Sequence, residues 1–112
     1  MVENVEQVVS QLQMHNQILQ TIAMQRQSLM IQSKELESAL SAVEACDSDV
    51  YKSVGPILVK SDKETVKKEL EEQKDDIELK LKSFESQEKK LKEKMKEMQE
   101  KLQDMMPAGQ GG

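Results

Sequence analysis

A single break near the middle of the chain constrains its fold more than any other feature of the sequence. Residues 50–60 hold four β-branched side chains and the only tyrosine, and Gly55 followed by Pro56 interrupts them. β-Branched and aromatic residues favour strands, and a Gly-Pro pair favours a turn. Two short apolar runs around such a break predict a β-hairpin, with the turn type left open. Because an isolated two-stranded hairpin is marginal in water, this one is predicted to pair with something outside itself.

The residues before the break repeat apolar side chains with heptad spacing and predict one helix over about 2–46. Nine of the twelve a and d positions from Val5 to Val43 are apolar, as in a coiled-coil seam. Arg26 at an a position is interpreted as a side chain that carries its charge out of the seam and helps to fix the register. His15, the only histidine, is interpreted as a packed or half-exposed seam residue, since no second His or Cys pair lies at ligand spacing.

The outer face of this first helix is rich in glutamine and nearly uncharged. Four further apolar residues widen its stripe beyond the seam, which indicates contacts beyond a single partner helix: Val9, Ile18, Met30 and Ile31. A glutamine face of this kind is usually solvated, because glutamine is a good helix former. The alternative is a low-charge face open to many partners.

The residues after the break predict a second helix over about 62–106. A capping box is expected at its start, with Ser61 as the N-cap and Glu64 three residues later. Apolar residues recur every seven positions from Leu70 to Met105, and Lys and Glu fill the remaining surface as solvated charge. Pro107 ends the helix, and residues 107–112 are expected to form a flexible tail.

Composition favours long helices over a compact globule. Only 2% of the 112 residues are aromatic, whereas 33% are charged, and a globular core of ordinary size needs more bulky side chains. The short connection requires the two helices to run antiparallel. The predicted fold class is therefore mainly α: a long antiparallel two-helix coiled coil joined by a single β-hairpin, with residues 1–106 as one domain.

Several classes of function are disfavoured by the sequence. A net charge of −5 and a pI near 5.0 argue against nucleic acid, which calls for a basic face. No apolar run approaches the roughly 20 residues of a membrane span, and the single Cys46 fits a reducing compartment, so we expect a cytoplasmic protein without a membrane partner. No nucleophile–base set, phosphate-binding loop or metal-ligand cluster is present, so no enzyme activity, cofactor or metal is expected.

The chain ends opposite the hairpin are predicted to carry a second apolar surface. An antiparallel pairing brings the two ends together, and helix ends fray, so their apolar side chains should be partly exposed. Methionine, abundant here, suits varied apolar contacts. The candidate residues of this surface are Val2, Val5, Val8, Val9, Leu12, Met95, Met98, Leu102, Met105 and Met106. The alternative is an ordinary seam filled with methionine.

Over almost its whole length the chain resembles a β-class prefoldin subunit. The resemblance is carried by the hairpin, Val50-Tyr51-Lys52-Ser53-Val54-Gly55-Pro56-Ile57-Leu58-Val59-Lys60, and by Gln87-Glu88-Lys89-Lys90-Leu91 in the second helix. A single hairpin is similar to the β class, because the α class carries two. The glycine-rich tail is more like that of archaeal members, while Gly55-Pro56 is also similar to one eukaryotic β-class subunit.

This resemblance implies a hetero-hexamer of two α-class and four β-class subunits whose hairpins assemble into oligomeric β-barrels. The assembly residues would be Val50, Tyr51, Val54, Ile57, Leu58 and Val59. It further implies an ATP-independent chaperone that binds non-native client proteins at the coiled-coil tips and transfers them to a group II chaperonin. The ten candidate residues of the second apolar surface would then be the client-binding residues. The alternative is a coiled-coil adaptor or tether without chaperone activity.

Overall fold

A computed structural model of the chain describes residues 4–106. Helix α1 (Val5–Ala45) is followed by strands β1 (Val50–Val54) and β2 (Ile57–Ser61), and then by helix α2 (Lys63–Met105). The two strands form one antiparallel sheet. The predicted fold class, two long helices joined by a single hairpin, is confirmed.

Contacts within the chain group into two compact units, Met1–Arg26 with Ser83–Gly112, and Gln27–Lys82. In the first unit Arg26 forms an ion pair with Glu88, and Met14 lines the same cavity as Met98, so the helical segments run antiparallel. The second unit shows the same direction, because Glu37 pairs with Lys74 and Glu44 with Lys67. That the chain forms one domain stays a prediction.

The predicted seam positions are the ones that lose contact with solvent. Eleven of the twelve a and d positions of α1 are buried or half-buried, and Val5 at the first turn is the exception. Along α2 every apolar heptad position from Leu70 to Met105 is also buried or half-buried. Heptad spacing places these side chains on one face of each helix, and that face is buried because it is apolar.

Helix α1 begins with a reciprocal cap that the sequence analysis missed. The backbone N–H of Gln7 donates to Asn4 Oδ1 at 2.8 Å, and the backbone N–H of Asn4 donates to Gln7 Oε1 at 3.3 Å. These two bonds satisfy backbone donors that an uncapped first turn leaves without partners. The helix therefore starts at Val5, three residues after the expected start.

The N-cap of α2 is Asp62, so the prediction of Ser61 was wrong. Asp62 Oδ2 accepts hydrogen bonds from the backbone N–H and the hydroxyl of Thr65, both at 3.1 Å. Ser61 instead ends β2, where it pairs with Val50. A carboxylate at the N-cap also interacts favourably with the positive end of the helix dipole.

Lys63, the first residue of α2, caps the end of α1. Its ammonium donates to the backbone carbonyls of Glu44 at 3.0 Å and Cys46 at 3.2 Å. The last turn of α1 holds no basic residue of its own, so this cation satisfies terminal carbonyls and complements the negative end of the helix dipole. The contact joins the two helices at the base of the hairpin.

The hairpin turns over two residues in a type II′ geometry. Val54 pairs with Ile57, which leaves only Gly55 and Pro56 in the turn. Gly55 has a φ of 57°, and the ring of Pro56 holds its φ near about −65°. A positive φ at the first turn position alone defines type II′, whose twist matches that of the paired strands.

Candidate functional site

The hairpin carries apolar side chains on both of its faces. From the register, Val50, Val54, Ile57 and Val59 share one face, and Tyr51 and Leu58 lie on the other. Val50 is buried, but the remaining five are exposed, from 44% for Val59 to 73% for Leu58. We call these six residues the hairpin surface.

A two-stranded sheet also leaves one edge of each strand without a partner strand. Such edges present unpaired N–H and C=O groups and readily accept another strand. A hairpin with two apolar faces and two open edges lacks the burial that holds a sheet together in water. The hairpin surface thus has the properties of an interface that another chain covers.

One ion pair joins the hairpin to α2, and a second lies at the base of the hairpin. Lys52 Nζ lies 2.7 Å from Glu69 Oε2, and Lys60 Nζ lies 3.4 Å from Asp49 Oδ2. The first pair joins β1 to α2, and the second joins β2 to the residue before β1. Both are solvent-exposed, so they orient the hairpin more than they stabilise it.

The predicted client-binding residues differ in their exposure. Val2 lies outside the described residues. Val5 and Met106 are exposed, at 41% and 52%, whereas Val8 is 1% exposed. The other six are half-buried: Val9, Leu12, Met95, Met98, Leu102 and Met105.

The expectation that Val8 is partly exposed was therefore wrong. The reciprocal cap at Asn4 and Gln7 starts α1 before Val8, so this residue lies in an ordered turn rather than a frayed end. The structure brings Met98 together with Gln11 and Met14. Whether these residues bind clients stays a prediction.

Arg26 pairs across the seam instead of only extending away from it. Its Nε lies 3.2 Å from Oε1 of Glu88, whose side chain is 9% exposed while that of Arg26 is 38% exposed. The N–H is not aligned on Oε1, which has no hydrogen-bond partner among the described residues. The pair is thus a Coulombic contact with one buried member, and the earlier interpretation of Arg26 omitted this partner.

The remaining candidate groups of residues 4–106 are its possible metal ligands and its cysteine. No group of three His, Cys, Asp or Glu side chains is arranged there to hold a metal ion. His15 Nδ1 lies 2.7 Å from the carbonyl of Gln11, one turn earlier on the same helix, and Cys46 is a free thiol. Neither helix has an apolar stretch of the length that a membrane crossing needs.

Sequence reasoning missed the exposed methionines on α1. Met14 and Met24 are 53% and 72% exposed, and neither was selected from the heptad pattern. The sequence did indicate an unusual surface around them, because residues 7–33 contain only one charged side chain, Arg26. A helix surface without charge, on a chain that is 33% charged, indicates a face that can be covered.

Comparisons with known proteins agree with this architecture. The family model described as prefoldin subunit matches residues 6–108. A prefoldin subunit beta of Pyrococcus abyssi is 37% identical over 62 residues, which are 54% of this chain and 53% of that protein. A prefoldin subunit beta of Archaeoglobus fulgidus is 41% identical over 64 residues, 55% of each chain. The match thus spans about half the length of these curated relatives.

A solved structure extends the likeness over nearly the whole chain. The crystal structure of the prefoldin beta subunit from Thermococcus strain KS-1 superposes with a TM-score of 0.85 and 36% sequence identity, covering 92% of this chain and 93% of that chain. The chain therefore belongs to the prefoldin family of chaperone subunits, and to its β class.

Proposed function

We propose that this chain is a subunit of a hetero-hexamer of two α-class and four β-class subunits that holds non-native proteins without ATP. The hexamer passes them to a group II chaperonin in the cytoplasm. The observation that carries the proposal is the hairpin surface, which exposes apolar residues on both faces of an otherwise unsupported sheet. Hairpins of neighbouring subunits bury these residues by forming a β-barrel, since a closed barrel leaves no open edges.

Assembly is tested by changing one face of the hairpin. Ile57→Asp together with Val59→Asp places two carboxylates on the face shared with Val54. Sedimentation with an α-class subunit should show loss of the hexamer, while circular dichroism shows that helical content is kept. The matched control is Ile57→Val with Val59→Ile, which changes the same two positions, keeps the face apolar and should retain the hexamer. A full-size complex from the first variant would refute the assembly role.

Client binding is assigned to the chain ends. Each end offers few apolar side chains, so its affinity alone is weak, but several ends around one cavity raise it by about 10²–10⁴-fold through effective concentration. The test replaces the exposed or half-buried residues Val5, Val9, Met105 and Met106 with serine or glutamine and retains the buried Val8. The hexamer should persist but lose suppression of aggregation, measured by light scattering of a denatured client diluted into buffer.

Two controls make that result specific. Met24→Gln, at the most exposed methionine of α1, should leave protection unchanged because it lies away from the chain ends. Equal protection by the end variant and the parent would move the client site away from the ends. Protection by neither, with an intact hexamer, would favour the alternative of a coiled-coil adaptor or tether.

Independence from nucleotide follows from the chemistry of the chain. It contains no glycine-rich phosphate-binding loop with a lysine. Calorimetry of the hexamer with ATP and magnesium should show no binding, and saturable micromolar binding would contradict the proposal. Transfer is tested by adding a group II chaperonin to the client-loaded hexamer, which should release a labelled client to the chaperonin without ATP hydrolysis by the hexamer.

A further inference from the structure

Three adjoining cavities form a groove along one side of the unit that contains Met1–Arg26 and Ser83–Gly112. The first shares His15 and Lys94 with the second, and the second shares Ile18, Ile22 and Gln87 with the third. We call this the side groove, and its apolar floor consists of Met14, Ile18, Ile22, Phe84, Leu91 and Met98. The floor lies between α1 and α2, beyond the predicted client-binding residues except for Met98.

The two walls of the side groove differ in charge. The α1 wall contains only uncharged side chains, Gln11, Gln17, Thr21 and Gln25 among them. The charged residues of the α2 wall are three lysines and one glutamate: Lys90, Lys94, Lys101 and Glu97. The groove thus has a formal excess of two positive charges on a chain whose net charge is −5. A local reversal of the chain's overall sign favours an anionic occupant.

Lys90 and Lys94 give the clearest indication of that occupant. They lie one turn apart on α2, and like charges at this spacing destabilise a helix. Neither ammonium forms an ion pair with any other described residue. A carboxylate placed between them would be attracted by both ammonium groups, so an acidic segment is favoured over a basic one at this wall.

The dimensions of the groove fit a helix better than a small molecule. Its cavities hold about 470, 290 and 420 Å³ and open directly to solvent, whereas small-molecule sites enclose most of their ligand. From Phe84 to Met98 the α2 side of the floor extends about 21 Å at 1.5 Å per residue. A partner helix of three to four turns spans that length with apolar residues at i, i+4, i+7 and i+11.

We propose that the side groove binds amphipathic helical segments of non-native proteins whose apolar stripe is flanked by Asp or Glu. The apolar stripe covers Ile18, Leu91 and their neighbours, and the flanking carboxylates meet Lys90 and Lys94. The uncharged α1 wall is covered at low electrostatic cost. This inference rests on the proposed chaperone function and names the class of client segment that the β-class chain selects.

The test uses two labelled peptides of about 16 residues with the same leucine stripe. One carries glutamate beside the stripe and the other carries lysine at the same positions. Fluorescence anisotropy with the intact hexamer should show tighter binding of the acidic peptide. Raising the ionic strength from about 0.05 M to about 0.5 M should weaken this preference, because salt screens exposed charges.

Matched variants separate the groove from general charge effects. Lys90→Glu with Lys94→Glu should weaken the acidic peptide about five- to tenfold, from two exposed charge pairs lost. Lys92→Glu with Lys96→Glu has the same spacing, helix and charge change but lies outside the groove lining, and should leave the affinity within about twofold. Ile18→Gln should weaken both peptides, while Met24→Gln should weaken neither.

The outcomes distinguish this inference from the proposed function. Equal binding of both peptides refutes binding of acidic segments in the side groove, even if the hexamer still suppresses aggregation. Equal effects of the two double lysine variants would refute it as well. Failure to suppress aggregation of any client would instead refute the chaperone proposal. Sedimentation of the parent chain alone tests for a second copy in the groove. If the parent self-associates and Lys90→Glu with Lys94→Glu abolishes this association, a second copy occupies the groove and the inference is overturned.

Discussion

Removing Arg26 should destabilise the chain because it leaves the carboxylate of Glu88 buried without its cation. The side chain of Glu88 is 9% exposed, and Arg26 is the cationic partner that the structure gives it. Arg26→Met keeps most of the aliphatic bulk in the seam and removes only the charge. The variant therefore tests the ion pair rather than the packing of the arginine stem.

The loss of stability expected for Arg26→Met lies between two limits. Breaking a fully buried pair by removing one partner costs about 3–5 kcal/mol, whereas exposed pairs contribute about 0.2–1 kcal/mol. The Arg26 side chain is 38% exposed, so solvent screens one member, and the Nε–Oε1 contact is not a hydrogen bond. We expect Arg26→Met to lower the free energy of unfolding by about 1–3 kcal/mol, between these limits.

A double-mutant cycle supplies the test. Urea unfolding of the full chain is followed by circular dichroism at one fixed protein concentration, for the parent, Arg26→Met, Glu88→Met and the double variant. The double variant should recover most of the stability lost in Arg26→Met, because two apolar side chains fit the seam without a buried charge. If the losses of the single variants simply add, or if Arg26→Met costs less than about 0.5 kcal/mol, the pairing argument is refuted.

Three further predictions concern the hairpin turn at Gly55, the N-cap of α2 at Asp62 and the ion pair of Glu44 with Lys67. Gly55→Ala should destabilise the hairpin by about 1–2 kcal/mol through the positive φ alone, since no atom lies within 4 Å of the added Cβ; urea unfolding of the hexamer measures it. Asp62→Ala should cost about 1 kcal/mol in the same assay, because Thr65 loses its acceptor. The hydrogen bond and charge of Lys67 lower the pKa of Glu44 below its usual 4.5, and the same pair raises the pKa of Lys67 above 10.5. Stability from this pair should therefore be present between these values, and be lost as pH falls through the folded pKa of Glu44 or rises through that of Lys67. Glu44→Gln should consequently differ from the parent at neutral pH and converge with it in acid.

The sequence predicted those parts of the fold that depend on local periodicity. Heptad spacing identified the buried positions of both helices, from Val8 to Met105, because a helix turns its side chains in a fixed period whatever lies opposite. The hairpin followed from its β-branched residues and the Gly55–Pro56 break. The turn type did not follow, because Pro56 restricts only its own φ and glycine adopts either sign.

The features that the sequence left unresolved depend on pairing between distant segments. Ser61 and Asp62 are both good N-caps, and the ladder pair of Ser61 with Val50 decides between them. Similarly, Arg26 was recognised as a charged seam position, but only the antiparallel register of the helices brings it to Glu88. The cap formed by Asn4 and Gln7 was readable from its spacing and was overlooked, which is why Val8 was expected at a frayed end.

The two helices share one apolar seam but differ in their outer surfaces. The outer face of α2 is covered by Lys and Glu, whose removal from water is costly, so this face stays solvated. Residues 7–33 of α1 carry one charged side chain, which is engaged with Glu88, and expose Met14, Ile18 and Met24. Covering amide and thioether groups requires far less desolvation than covering charges. The side groove combines the two surfaces, because its α1 wall is uncharged and α2 contributes its lysines as an edge rather than as the floor.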